Sequence, residues 1–198
     1  MPDADSIFDD DDFDDEDAEV LARLRAAERR VRTTPPRCLS GFTTRPSSLK
    51  GVRFDGHGEP LNVVYQVACA CGHDAFRALG HRVTIDGYNA FVSPLALECA
   101  ACGKVTELFD AAEHGYDPEV CGHSYAARGT GPREPFACGH CRGEVMTAHA
   151  RFEHSSETLE DSTGEFTGRE HDLFTWFTLV GECRGCGGVL EVADFECA

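Results

Sequence analysis

Glu98-Cys99-Ala100-Ala101-Cys102-Gly103-Lys104-Val105 returns near the end of the chain as Glu182-Cys183-Arg184-Gly185-Cys186-Gly187-Gly188-Val189. The two copies are in register at an offset of 84 residues, and the agreement continues to Glu107 against Glu191 and Asp110 against Asp194. Each copy has an upstream partner, Cys69-Ala70-Cys71-Gly72-His73 before the first and Cys138-Gly139-His140-Cys141 before the second. The chain thus carries an internal repeat and two sets of four cysteines.

Cys-x-x-Cys followed by Gly suits a metal turn. The second thiolate sits where the chain reverses, backbone N–H groups can point at sulfur, and Gly supplies the positive φ of the reversal. Four thiolates from two such turns complete a tetrahedral zinc ion at about 2.3 Å per bond and leave no position for substrate. The expected sets are Cys69, Cys71, Cys99 and Cys102, and Cys138, Cys141, Cys183 and Cys186, holding two structural zinc ions in all. Cys69 and Cys71 are separated by one residue only, which demands a tighter turn, and His73 stands close enough to replace one sulfur. A disulfide scaffold or a redox dithiol is the competing use of so many cysteines.

These residues resemble the zinc-ribbon group of folds, in which two knuckles at the ends of β-hairpins clamp one zinc ion. The resemblance covers most of residues 61–198 and implies a fold, not an activity. The fold class expected is mainly β: two small antiparallel zinc-ribbon units in tandem, with a short N-terminal amphipathic helix and a disordered acidic tail. Units of this size bury too little apolar surface to be stable alone, and a metal staple is the usual remedy.

The formal charge is −17 over 198 residues, and it is unevenly spread. Residues 1–19 carry 11 acids and no Lys or Arg; residues 20–54 carry nine basic residues against Glu28 alone; residues 55–198 are again acidic. Thiolate–zinc centres would make that last block more negative still. Such a surface repels a phosphate backbone, so nucleic-acid binding through the ribbons is disfavoured.

In chain order, 1–17 reads as a disordered acidic tail with Ile7, Phe8 and Phe13 set among aspartates. The block 18–60 is a basic helix and linker. Val20, Leu24, Ala27 and Val31 fall at helical spacing over 18–33, and Thr34-Pro35-Pro36 stops the helix. Cys38, in the linker, reads as a buried or free thiol. Residues 61–117 form ribbon 1, with strands expected near 61–68, 75–84, 90–98 and 105–109. A connector follows at 118–135, with Cys121, His123 and Tyr125. Ribbon 2 occupies 136–198, with a strand over 144–154 that sets Met146, Ala148, Ala150 and Phe152 on one face, an exposed loop over 155–170, and a strand over 173–182.

The N-terminus Met1-Pro2-Asp3-Ala4-Asp5 has neither a basic start nor an apolar run, and nowhere do about 18 apolar residues follow one another; a cytoplasmic protein without membrane association is the expectation. There is no phosphate loop, nucleophile elbow or His-Glu-x-x-His, so a non-catalytic role is expected. The reading favoured is an acidic module that binds another, basic protein. The alternative is a nucleic-acid-associated ribbon protein touching phosphate through residues 23–53, with Arg23, Arg29, Arg30, Arg32 and Arg37 as the contacts.

Overall fold

The computed structural model describes residues 13–47, 49, 61–85, 88–115, 128–161 and 166–197. The first 12 residues of the acidic tail, most of the linker over 48–60, and the connector segment with Cys121, His123 and Tyr125 lie outside the described residues.

The fold is mainly β with one long helix, α1, over Phe13–Thr33. The strands are β1 (Thr43–Pro46), β2 (Leu61–Ala68), β3 (Ala75–Ile85), β4 (Tyr88–Cys99), β5 (Val105–Phe109), β6 (Glu134–Pro135), β7 (Val145–His154), β8 (Trp176–Cys183) and β9 (Val189–Glu196), and a short helix α2 covers Ser156–Asp161. Among the described residues every strand pairing is antiparallel, and the nine strands belong to one sheet.

The join between the two cysteine-bearing halves is made by β3 and β7, through Ala75↔Thr147, Phe76↔Met146 and Arg77↔Val145. Phe76 also faces Cys99, and Met146 faces Cys183. Exchanging the halves therefore maps this three-residue pairing onto itself. The hairpins that follow match as well: Glu98↔Val105, Leu97↔Thr106 and Ala96↔Glu107 in one, Glu182↔Val189, Gly181↔Leu190 and Val180↔Glu191 in the other, each with a register shift at the next step. β2 runs along the far part of β7, and β6 along the far part of β3, so each first knuckle interrupts what is otherwise one extended path beside its neighbour.

The sheet curls until β9 lies against β4. Phe109 of β5 stacks on Phe177 of β8 with centroids 4.2 Å apart and planes 2° from parallel, and on Phe195 of β9 at 5.1 Å. Phe152 and Phe174 complete an aromatic cluster in which each residue is at most 4 % exposed. The alternation expected of β7 is present, with Met146, Ala148, Ala150 and Phe152 all in the core. Its opposite face is polar yet buried, and its groups are paired: Arg151 donates to Asn62 at 2.9 Å and to Glu153 at 3.3 Å, and His149 meets Ser47 at 2.7 Å and Thr147 at 3.2 Å.

Two expectations are corrected. α1 begins at Phe13, so five residues assigned to the tail are helical; acids in a first turn are favoured by the helix dipole. The stretch 155–170 is not a plain exposed loop. α2 forms there, with the Ser155 hydroxyl accepting the Thr158 N–H at 3.0 Å, and Leu159 is buried. Its far end anchors α1: Arg30 donates to both carboxylate oxygens of Glu170, at 2.7 and 2.5 Å, and the Glu170 side chain is 2 % exposed. Burial raises the Glu170 carboxyl, and the Arg30 guanidinium together with the N–H groups of Gly168 and Glu170 more than offsets it, so the group sits below the usual carboxylate range. Arg30→Ala is expected to destabilise the protein by about 2 kcal/mol by stranding that buried acid, with the loss appearing first as faster hydrogen exchange in α1.

His154, at the end of β7, is fully buried against Phe174 and near the His171 carbonyl, at 3.4 Å. Burial holds its imidazole down at about 4, against the carbonyls of His171 and Leu61 and the Asp172 carboxylate, which favour the proton. The folded value lies below the unfolded one, so the unfolded chain takes up the proton first on acidification. Stability from this group is complete above about pH 6.5 and falls by about 3 kcal/mol as pH drops toward 4. His154→Leu should flatten the denaturation-midpoint curve in that window relative to the parent chain.

Candidate metal centres

The first knuckle leaves β2 at Cys69. Gly72 donates its N–H to the Cys69 carbonyl at 2.8 Å, and the Cys69 N–H returns to the His73 carbonyl at 2.7 Å, which is how the one-residue spacing is accommodated. The second knuckle leaves β4, with Gly103 N–H on Cys99 O and Cys99 N–H on Lys104 O, both at 2.9 Å. Knuckles three and four repeat this pattern: Arg142 N–H on Cys138 O, Cys138 N–H on Gly143 O, Gly187 N–H on Cys183 O and Cys183 N–H on Gly188 O, at 2.8–2.9 Å.

The knuckles pair off as the spacing suggests. Cys69, Cys71, Cys99 and Cys102 bring their sulfurs within 4.8 Å of one another, and so do Cys138, Cys141, Cys183 and Cys186. The nearest sulfur contacts are 3.7 Å (Cys69 with Cys102), 3.6 Å (Cys71 with Cys99), 3.6 Å (Cys138 with Cys186) and 3.4 Å (Cys141 with Cys183). Four sulfurs at about 2.3 Å around a tetrahedral zinc ion stand about 3.8 Å apart, whereas a disulfide needs about 2.05 Å. Both clusters can hold a metal ion.

His73 is outside the sulfur cluster. It is exposed and serves through its main chain, accepting from Cys69 and donating its N–H to the Cys71 sulfur. In each set the strand-end cysteines are buried (Cys69, Cys99, Cys138, Cys183) and the turn cysteines exposed (Cys71, Cys102, Cys141, Cys186).

Electrostatics at the clusters suit a dication. The Cys138 thiol is drawn down to about 6 by N–H donors from Cys141 and His140, and Cys183 is lowered by those of Cys186 and Gly185. Burial opposes ionisation of Cys99, but the N–H groups of Cys102 and Ala101 and the neighbouring sulfurs bring it to about 6. Cys71 and Cys186 also accept N–H bonds, from His73 and Gly188, yet their crowded sulfur partners push both up to about 12. Four thiols this close cannot all ionise on their own; a divalent cation removes the repulsion.

The two centres are tied together across the β3–β7 join. Arg184 in the fourth knuckle pairs with Asp74 beside the first at 2.5 Å, and Arg77 bridges Glu98 at 3.2 Å and Glu144 at 3.8 Å. Among the described residues, these two cysteine groups are the only clusters of His, Cys, Asp and Glu arranged to hold a metal. Cys38 and Cys197 are buried away from both, and burial pushes the Cys38 thiol up.

Three of the five arginines of the phosphate-binding alternative are engaged within the chain. Arg23 pairs with Glu19 one turn back, Arg30 is committed to Glu170, and Arg37 donates to the Glu113 carbonyl at 2.7 Å. Arg29 and Arg32 remain exposed on α1. No helix among the described residues is long and apolar enough to cross a membrane. No family model, curated protein or solved structure matches the chain.

Proposed function

We propose that the chain is a non-catalytic zinc protein that serves as an acidic docking module for a basic protein partner. The observation that carries this reading is the pair of four-sulfur clusters, in which the protein supplies all four ligands and leaves no coordination position for a substrate. Zinc suits a tetrahedral thiolate set better than the harder divalent ions, and it brings no redox change of its own.

The rest follows from charge. With −17 overall and further negative charge from zinc–thiolate centres, the surface steers cationic partners inward and turns polyanions away. α1 adds an arm: the half near Thr33 is seated by Ala27 and Val31, whereas Val20 and Leu21 are 48 % and 51 % exposed beyond the acid-rich start of the helix. The acid-rich first half of the helix, with Val20 and Leu21 open beside it, fits a basic-rimmed groove. Arg23, Arg30 and Arg37 are already paired internally, which lowers the cationic surface open to phosphate.

The test is a salt series on the full-length protein. Binding to a Lys/Arg-rich amphipathic peptide should be saturable and weaken with salt, and mixed DNA and RNA should not bind at low salt. Tight binding of nucleic acid with a steep salt slope, lost in Arg29→Glu/Arg32→Glu, would reverse the assignment.

A further inference from the structure

All four knuckles reverse direction at the residue after their last cysteine, and all four do so with positive φ: Gly72 at 90°, Gly103 at 71°, Gly187 at 71° and Arg142 at 62°. Three use glycine. Arg142 is the one non-glycine residue with positive φ among the described residues. A Cβ built on any of the three glycines meets nothing within 4 Å, so the preference at this position comes from backbone strain and not from crowding. The third knuckle accepts that strain and gains a side chain. Strain of this kind persists where the side chain has work to do.

Arg142 lines a cavity of about 210 Å³ together with Arg82, Phe91, Phe136, Ala137 and Gly139. Arg82 is held there on two sides: its guanidinium carbon lies 5.6 Å from the centroid of the Phe91 ring, and its Nε donates to Glu134 at 3.2 Å. Phe136 meets Phe91 edge to face at 5.5 Å and gives the cavity an apolar wall. Arg142 is exposed and has no ion-pair partner among the described residues. Two arginines therefore border one small space, and Glu134, exposed, pairs with one of them.

We propose that this cavity binds a small organic oxyanion, a carboxylate or a phosphate monoester on a flat apolar carrier, with the oxyanion between Arg82 and Arg142 and the carrier against Phe136. Guanidinium groups match planar and tetrahedral oxyanions with paired N–H donors. The acidic charge of the whole chain does not forbid this, because at physiological salt exposed charges act over about 8 Å and the two arginines dominate at that range. The site lies beside the second cysteine cluster but uses none of its sulfurs.

The test uses the full-length, metal-loaded protein, titrated with phenyl phosphate, benzoate and inorganic phosphate and followed by calorimetry and amide shifts. One saturable site per chain is expected. A preference for phenyl phosphate assigns a phosphate ester, and a preference for benzoate assigns a carboxylate. Arg142→Gly should weaken the better probe by about tenfold or more, leave the metal content unchanged, and raise the melting temperature by about 2–4 °C as the strain is released. The proposal fails if no probe saturates, if inorganic phosphate binds as tightly as the aryl probes, or if Arg142→Gly binds like the parent chain. It also fails if the variant loses metal instead, because Arg142 then serves to balance the thiolate charge.

Discussion

Cys186→Ser is expected to lower the metal content from two ions per chain to one and to destabilise the whole protein. A serine hydroxyl is a poor substitute for a thiolate, and the affinity of a structural zinc site, about 10–16 kcal/mol of apparent binding free energy, is itself folding free energy. Cys186 closes its cluster against Cys138 at 3.6 Å, and its knuckle joins β8 to β9. Cys102→Ser should do the same at the other cluster, where Cys102 meets Cys69 at 3.7 Å. Cys38→Ala is the control, since Cys38 is buried apart from both clusters. Native mass spectrometry and thermal unfolding read both quantities. A folded parent chain with cysteines in disulfides and no metal would refute the assignment of all four knuckles.

The second large effect is expected at Phe109. Phe109 is 1 % exposed and its ring packs on both Phe177 and Phe195, with Phe174 at 6.3 Å and His114 at 5.9 Å. Phe109→Ala removes a core aromatic and leaves a cavity, which costs about 3–5 kcal/mol. Because Phe109 comes from β5 while its stacking partners come from β8 and β9, the loss is shared by both halves. Denaturant titration should show one transition displaced to lower midpoint, with fluorescence of the single Trp176 and far-UV dichroism moving together. Two separated transitions would mean that the halves fold independently.

Much of this was legible in the chain itself. The Cys-x-x-Cys-Gly spacing names the turns at Cys99 and Cys183, and paired cysteines name the other two, because a metal knuckle is a local structure whose requirements are written in adjacent residues. The β-rich runs leading into Cys69 and Cys99 became β2 and β4, and the alternation of Met146, Ala148, Ala150 and Phe152 picked the core face of β7. What the residues could not show was long-range pairing. Periodicity says that Ala75–Arg77 is a strand but not that Val145–Thr147 lies beside it, so ribbons expected in tandem share one sheet. The polar character of 155–170 concealed α2 and the Glu170 anchor for the same reason: Leu159 and Glu170 find their partners on distant elements. Arg142 was a signal in plain view, an arginine where three sister turns have glycine.

The β3–β7 join has the form of a symmetric dimer interface, yet both surfaces belong to one polypeptide. Two separate ribbons held by these pairings, the β2–β7 ladder and the Phe109 stack would associate in a concentration-dependent way. Here the chain between β5 and β6 keeps the partner surface at a high effective concentration that no dilution lowers. Contact between the halves should therefore not depend on protein concentration, and the spacing between the two cysteine clusters is set within a single chain.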